Sequence, residues 1–463
     1  MDRIKELRDV MRKHDIDIYY IPTDDYHSSE FVGDYFKVRE YISGFTGSAG
    51  TLIVTMNEAG LWTDGRYFVQ AENQLKDSTV TLYRMGEEGV PTVDEFVKDR
   101  LKEGGCLGFD GRVVNGTWGG KLEKIAAEKN VSMHVTEDLI DLIWEDRPAL
   151  SKQPLFILEE KYSGKSTADK IADLRKAMKE NGADVHILTS LYDIAWLLNI
   201  RGNDIDYVPV VLSYLVLNET ECIWFLQEEV VDDKIRAYLE ENHITTKPYD
   251  AIYDYVPEIP ADAVVLMNRG TVNYRIVNSL DKAIKVVDKP NPTELMKAVK
   301  NKTEVDNTRA AHVKDGVAFT KFMYWLKTNI GKIPMTEISA SDYLEARRRE
   351  QDNFIELSFN TICAYGANAI SAWGPNAAMM HYAATPESDA ELKPEGFLLV
   401  DSGGHYFEGT TDITRTMALG PITDEMRLHF TTVCRSNMNL AHAKFLYGCT
   451  GLNLDILSRG PLW

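Results

Sequence analysis

The sequence predicts an α/β protein of three domains: two similar α/β domains in tandem, and a third that opens with helices and then turns to strands. Three observations support this fold class. The chain has 463 residues, which corresponds to about three domains of roughly 150 residues each. A helix–strand pattern occurs twice, and prolines cluster at two places between the predicted domains. We therefore expect domains at residues 1–150, 151–290 and 291–463.

The first two domains are predicted from an opening helix and strand that recur later in the chain. Residues 3–21 read RIKELRDVMRKHDIDIYYI, and residues 170–188 read KIADLRKAMKENGADVHIL. The shared apolar positions are spaced i, i+3 and i+7, as on one face of a helix, and a β-rich run follows each helix. A chance likeness of two amphipathic helices is the alternative, but the match continues into the strand. The residues that recur at an offset of 167 are Ile4, Leu7, Arg8, Met11 and Asp17, as Ile171, Leu174, Arg175, Met178 and Asp184.

Two proline clusters set the expected domain limits. They read RPALSKQP at residues 147–154 and DKPNP at residues 288–292. Neither a helix nor a central strand continues easily through such a segment, because proline lacks the backbone N–H that both structures need.

The third domain is predicted to begin with a helix and to continue with strands. Thr303 and Asp306 are spaced as a capping box, and the buried face of this helix is predicted to carry Phe319, Phe322, Met323 and Leu326. From Gly396 onward, two strand-like segments, each with an aspartate, precede another helical segment. Thr450 is a predicted N-cap of a final helix.

Composition and charge exclude several classes of protein. The formal net charge of −20 opposes binding to nucleic acid and to anionic membranes. The longest apolar stretch, Val208–Leu217, is far shorter than the ~20 residues that cross a bilayer. The charged N-terminus lacks a secretion signal, so we expect a cytoplasmic protein. The five cysteines contain no CxxC pair, which argues against a disulfide framework or a zinc ribbon.

Two aspartates are the main candidates for metal chemistry. Asp401 ends the apolar run FLLVD, and Asp412 lies within TTDITRT on the next predicted strand. An ionised acid on a buried strand needs a cation, a metal or several hydrogen bonds. Two such acids on consecutive strands can hold hard divalent ions. The structural alternative is that Asp401 begins a polar turn and that Asp412 pairs with Arg415 or caps a turn.

His381 and Arg66 are candidate substrate-binding residues. His381, in AMMHYAAT, could present its imidazole to a substrate carbonyl, although a lone histidine is more often structural. Arg66, in LWTDGRYF, could bind a carboxylate or peptide, or could form a surface ion pair. The sequence contains no HExxH, GxSxG or Walker motif.

Several motifs together resemble one family. They include GFTGSAGTLIVT, LWTDGRYFVQAE, DLIWEDRP, HYAATPES and VDSGGHYFEGTTDITRT. The chain resembles the cytosolic aminopeptidase P family, Xaa-Pro aminopeptidases among the pita-bread metallopeptidases. The resemblance implies two creatinase-like α/β domains followed by a pita-bread (α+β) catalytic domain, commonly in a homodimer, that hydrolyses peptides with proline at the second position.

The resemblance also implies roles for the candidate residues. Asp401 would bind one of two divalent ions, with Mn²⁺ expected, and Asp412 would bridge both. His381 would be a catalytic residue that contacts the substrate, and Arg66 would bind substrate from the first domain. Thr414 and Arg415 would orient Asp412.

The family pattern includes further metal ligands, a histidine in a GTGHG motif and two glutamates, that this sequence does not contain. We therefore expect a C-terminally truncated chain with an incomplete pita-bread domain, weak or absent metal binding and little peptidase activity by itself. The alternative is a non-catalytic pita-bread module that binds peptides or proteins. The two retained aspartates favour the enzyme.

Overall fold

The computed structural model of the protein describes residues 2–366, 376, 379 and 381–463. The chain forms two compact units. The first comprises the chain up to Arg309 together with Phe407–Gly409, and the second comprises Ala310–Tyr406 and Thr410–Trp463. No helix among the described residues is both long and apolar enough to cross a bilayer. All five cysteines are free thiols.

The first unit contains two six-stranded sheets. The elements up to the first proline cluster are α1 (Arg3–Lys13), β1 (Ile18–Pro22), α2 (Val38–Ser43), β2 (Thr51–Thr55), β3 (Ala59–Thr63), α3 (Phe68–Leu75), β4 (Thr81–Arg84), α4 (Val93–Arg100), β5 (Cys106–Gly108), α5 (Gly116–Lys129) and β6 (Ser132–His134). Those that follow are β7 (Phe156–Ile157), α6 (Glu160–Ser163), α7 (Thr167–Glu180), β8 (Val185–Leu188), α8 (Leu191–Leu198), β9 (Ile200–Arg201), β10 (Ser213–Leu217), β11 (Cys222–Leu226), α9 (Asp233–Glu241), β12 (Thr245–Pro248), α10 (Ile252–Tyr255), β13 (Val264–Met267), α11 (Tyr274–Ser279), β14 (Lys285–Asp288) and α12 (Pro292–Ala298).

The two sheets have the same topology, which confirms the internal repeat. Their strand orders are β4-β3-β2-β1-β5-β6 and β12-β11-β10-β8-β13-β14. In each sheet the first strand of the repeat pairs antiparallel with the next long strand and parallel with the strand on its other side. The helices before these strands use equivalent residues, since Leu7 and Met11 of α1 and Leu174 and Met178 of α7 are all buried. The shared apolar stripe therefore marks two copies of one fold.

The long helix that leads out of the first unit begins differently from the prediction. Helix α13 (Lys302–Asn329) is preceded by Asn301, whose side chain accepts from the backbone N–H of Glu304, while the Glu304 carboxylate accepts from the N–H of Asn301. The predicted box of Thr303 and Asp306 is wrong by two residues, because asparagine caps a helix as well as threonine does. The predicted buried face is confirmed at Phe319, Phe322 and Leu326.

The second unit packs helices against short antiparallel sheets. Its elements after α13 are α14 (Glu337–Arg349), β15 (Phe354–Leu357), β16 (Ile362–Gly366), β17 (Phe397–Ser402), β18 (Gly404–Tyr406), β19 (Gly409–Thr410), β20 (Ile413–Ala418), α15 (Asp424–Ala441) and α16 (Gly451–Arg459). One sheet has the order β16-β17-β20 and another β15-β18-β19. Alternate residues of β17, such as Leu398 and Val400, join the helices in one apolar core. Thr450 caps the last helix, as predicted.

A fully buried ion pair ties the helices of the second unit to its strands. The Arg348 guanidinium on α14 donates from Nε to Asp315 Oδ1 on α13 over 2.6 Å and from its second terminal nitrogen to Asp315 Oδ2 over 3.2 Å. Both side chains are inaccessible to solvent. The same guanidinium donates to Ser402 Oγ at the end of β17, and Tyr406 Oη donates to Asp315 Oδ1. Four elements thus meet at one pair of charges.

A buried histidine in the first unit predicts sensitivity to mild acid. His27 Nδ1 lies 3.1 Å from the carbonyl oxygen of Thr189, and Nε2 lies 2.6 Å from Tyr249 Oη. A neutral imidazole satisfies both contacts by donating to the carbonyl and accepting from the phenol. Burial lowers the pKa of His27 to about 4, although the negative charge of Asp25 opposes this shift.

Because the folded pKa of His27 lies below its ordinary value of 6.5, the unfolded chain takes up the proton first as the pH falls. The contribution of neutral His27 to stability is complete above pH 6.5, and it is lost as the pH falls to about 4. We expect the free energy of unfolding to decrease by about 2 kcal/mol more between about pH 7 and about pH 5 than it does in His27→Gln. Urea titrations at both pH values measure this difference, and the exposed His243→Asn variant should keep the parent slope. Equal slopes for the parent and His27→Gln would contradict it.

Candidate active site

Asp401 is the penultimate residue of β17, the central strand of the β16-β17-β20 sheet. It is opposite Thr414 in the antiparallel register of β17 and β20. Thr414 Oγ1 donates to Asp401 Oδ1 over 2.6 Å. The neighbouring Val400 and Ser402 are buried in the core, whereas Asp401 is only partly buried, because alternate residues of a strand face opposite sides. Thr414 therefore fixes one oxygen of the Asp401 carboxylate.

Asp412 lies immediately before β20, one residue outside the strand in which it was predicted. It is two residues before Thr414, so it is the diagonal neighbour of Asp401 across the strand pair. The pKa of Asp412 is raised, first because neighbouring groups partly remove water from its carboxyl group, then by the negative charge of Asp401, and then by a hydrogen bond between the two carboxyl groups. The structure therefore brings the two acids together.

The structure differs from two of the structural alternatives for these acids. Asp401 lies in a strand rather than a turn, and Arg415 has a different partner from the one expected. Arg415 donates its guanidinium N–H to the backbone oxygen of Thr414, and in the part of the chain that the structure describes it forms no ion pair with Asp412. The expectation that both acids are buried is also wrong, since Asp412 is exposed. Two adjacent carboxylates that repel each other, with no cationic partner among the described residues, fit a hard divalent cation. Within the described ranges, no third histidine, cysteine or acid joins them in a cluster.

His381 is an exposed residue in a turn of the second unit. The next residue, Tyr382, is buried and donates its hydroxyl to Glu337 Oε2 over 2.8 Å. The backbone that carries His381 is therefore anchored by its neighbour, while the imidazole side remains accessible.

Glu337 is a buried carboxylate close to His381 in the chain's fold that the sequence did not reveal, since it binds Tyr382, the next residue. This fully buried carboxylate at the start of α14 accepts hydrogen bonds from the backbone N–H groups of Tyr365 and Ala390 and from the side chains of Asn376 and Tyr382. All four donors are neutral, and the position of Glu337 at a helix N-terminus favours its charge. The local signal was Thr336 followed by an acid, which marks a helix start but does not reveal burial.

Arg66 lies in the first unit, in the turn after β3. Its guanidinium forms a two-point ion pair with Asp64, from Nε to Oδ1 over 2.8 Å and from a terminal nitrogen to Oδ2 over 2.7 Å. These hydrogen bonds raise the pKa of Arg66. The surface ion pair that was the structural alternative is thus present, and a role in substrate binding stays a prediction. The side chain is 46% exposed, so the pair does not seal it from a ligand.

Comparison with known proteins identifies all three parts of the chain. Residues 3–143 and 146–304 each match a creatinase/prolidase N-terminal domain, and residues 306–463 match metallopeptidase family M24. The chain thus consists of two creatinase-type α/β domains followed by a metallopeptidase domain.

Curated relatives match over the whole of this chain. A probable Xaa-Pro aminopeptidase P of Neurospora crassa is 37% identical over 477 residues, which cover 100% of this chain and 68% of that protein. One of Chaetomium globosum is 37% identical over 479 residues and is covered to 75%. This chain also resembles the crystal structure of an X-prolyl aminopeptidase from Caenorhabditis elegans, which is described as a cytosolic enzyme with a di-nuclear active site. The two structures superpose with a TM-score of 0.93 at 32% sequence identity, and the match covers 100% of this chain and 76% of the C. elegans chain.

Proposed function

The chain belongs to the Xaa-Pro aminopeptidase P group of the M24 metallopeptidases, and from this membership we propose that it acts as a metal-dependent Xaa-Pro aminopeptidase. Such an enzyme releases the N-terminal residue of a peptide whose second residue is proline. The observation that carries the proposal is the pair of adjacent acids, Asp401 and Asp412, on one sheet of the metallopeptidase domain.

We propose that Asp401 binds one divalent ion and that Asp412 bridges two, with Mn²⁺ as the expected metal. When bound, the two ions supply Lewis-acid activation of the scissile carbonyl and of water. The chain's own residues prepare this site. Thr414 holds Asp401 Oδ1 by its hydroxyl, which restricts the rotation of the carboxylate, as groups that hydrogen-bond to metal ligands commonly do.

The side chains that contact substrate are proposed from the same resemblance. His381 would donate a hydrogen bond to the carbonyl oxygen of the residue before proline, where negative charge develops during hydrolysis. Glu337 would support this role by holding Tyr382, the neighbour of His381. Arg66 would bind a carboxylate or backbone carbonyl of the peptide by exchanging its contact with Asp64.

Selectivity for proline follows from the chemistry of the bond. The amide before proline has no N–H, and the ring fixes its φ and restricts the preceding residue. We also infer a homodimer in the cytoplasm, in line with the cytosolic relative from C. elegans. The excess of acidic residues argues against nucleic acid as a partner.

The test compares two peptides that differ only in the second residue, proline or alanine, with full-length protein and added Mn²⁺. We expect release of the N-terminal residue to be roughly 10²-fold or more faster for the proline peptide. A chelator should abolish it. Equal rates for the two peptides, or an undiminished rate with the chelator, would rule the proposal out and favour a peptide-binding module.

A further inference from the structure

Two histidines and a glutamate form a cluster in the first unit that the peptidase reaction does not use. Glu137 Oε2 lies 3.3 Å from His134 Nε2 and 3.5 Å from His14 Nδ1. One ligand atom from each of the three side chains lies within 4.8 Å of the others. The two imidazole rings meet edge to face with centroids 5.6 Å apart. The three groups thus converge on one point.

The backbone holds each of these side chains in place independently. His14 ends helix α1, where its N–H donates to the carbonyl oxygens of Val10 and Met11. His134 ends strand β6, and its carbonyl accepts from Phe109. Glu137 precedes Asp138, a buried residue that caps a short 3₁₀ helix. A site on such fixed elements loses little conformational freedom when a ligand binds.

The distances fit a tetrahedral metal ion. Zinc bonds to histidine nitrogen and carboxylate oxygen are about 2.0–2.1 Å long, so neighbouring ligands of a tetrahedral ion lie roughly 3.3 Å apart. The two Glu137 contacts match that spacing. Ordinary hydrogen bonding does not explain the cluster, because His134 Nε2 is covered from solvent and has no hydrogen-bond partner among the described residues. The negative end of the α1 helix dipole, next to His14, further favours a cation.

We propose that His14, His134 and Glu137 bind a Zn²⁺ ion, with water in the fourth position, at a site separate from the Asp401–Asp412 pair. Two histidines and one carboxylate are a ligand set that zinc readily accepts. The side chains are 27%, 26% and 42% exposed, so the cluster borders the solvent. The ion would join the end of α1 to the edge strand β6 and would stabilise the first domain. This proposal does not depend on the proposed peptidase activity.

The second copy of the repeat offers a natural comparison. Asn181 occupies the position equivalent to His14, and its side chain donates to the carbonyl of Ala177 in its own helix. Asparagine therefore suffices to end this helix, and the repeat itself does not require a histidine. The substitution His14→Asn therefore removes one proposed ligand, and it introduces the residue that the second copy of the repeat already has at this position.

The experiment titrates Zn²⁺ into the chain by calorimetry in the Asp401→Asn/Asp412→Asn background, which removes the other proposed metal site. We expect one ion per chain and a rise in Tm on binding. His14→Asn and Glu137→Gln should each weaken this binding at least about tenfold while leaving the metal-free Tm close to that of the parent. The exposed His243→Asn serves as the control and should bind like the parent.

Cobalt gives an independent readout of geometry. Co²⁺ in the same background should produce the intense visible absorption of a tetrahedral site, and His134→Gln should abolish it. Failure of the parent to bind Zn²⁺, or equal binding by the His14 and Glu137 variants, would overturn the proposal and leave a histidine–carboxylate ion pair.

Discussion

Replacing Asp412 by asparagine in a protein that carries the complete ligand set of the family pattern should lower the rate of Xaa-Pro peptide hydrolysis by about 10³-fold or more, since metal activation contributes several kcal/mol to such a reaction. The amide removes the negative charge of the proposed bridging ligand, but it preserves size and shape. Asp412 is exposed, so the chain should fold normally. Initial rates with a proline peptide at saturating Mn²⁺ measure the effect. Asp352→Asn, an exposed acid in the same unit, serves as the matched control and should retain full activity.

A second measurement separates loss of metal from loss of fold. The negative charge of Asp401 raises the pKa of Asp412, so the two acids repel each other in the metal-free protein. Asp412→Asn should therefore leave the metal-free Tm unchanged or slightly higher, while the rise in Tm caused by Mn²⁺ should disappear. If the variant kept more than about a tenth of the parent activity, its activity would be far higher than expected after loss of a metal ligand. That result would refute the role of Asp412.

Replacing Arg348 by methionine should destabilise the second unit by about 3–5 kcal/mol, the usual cost of leaving one buried charge without its partner. Asp315 would then be a carboxylate inaccessible to solvent, to which, among the described residues, Tyr406 alone still donates. Because Arg348 also donates to Ser402, the neighbour of Asp401, the loss should reach the metal site and weaken Mn²⁺ binding as well. Chemical denaturation and a Mn²⁺ titration measure the two effects.

The adjacent residue supplies the control for this experiment. Arg349 on the same helix pairs with Glu345 one turn earlier, and its side chain is 61% exposed. Arg349→Met should change stability by no more than about 0.5 kcal/mol. The double variant Asp315→Leu/Arg348→Met should be less destabilised than the two single changes together, because it leaves neither charge unpaired. Additive losses would show that the two side chains act separately.

The parts of this structure that the sequence predicted are those encoded by local periodicity. The apolar stripe of α1 recurs in α7 at a constant spacing, so the repeat was visible before the sheets were known. The acids Asp401 and Asp412 were also visible, because a charge next to an apolar strand is unusual. Their burial was overestimated, since the sequence does not show which face of β17 turns away from the core.

Local sequence patterns could not predict contacts between residues that lie far apart in the chain. Asp315 and Arg348 are ordinary charged residues of two helices until the helices pack, and Arg348 is separated from Ser402 by 54 positions. The cluster of His14, His134 and Glu137 was missed for the same reason, because its members come from a helix end and a strand at opposite ends of the first domain. The sequence set out the elements, but tertiary packing decided which of their polar groups meet.

The buried carboxylate of Glu337 has a practical consequence for redesign. It holds the segment around His381 through Asn376, Tyr382 and Ala390, yet it lies dozens of positions earlier in the chain. A chimaera that imports this segment from a relative should succeed only if the glutamate and the asparagine and tyrosine that face it come from the same parent or are identical in both. Glu337 should therefore be transferred together with Asn376 and Tyr382, although it lies far from them in the sequence.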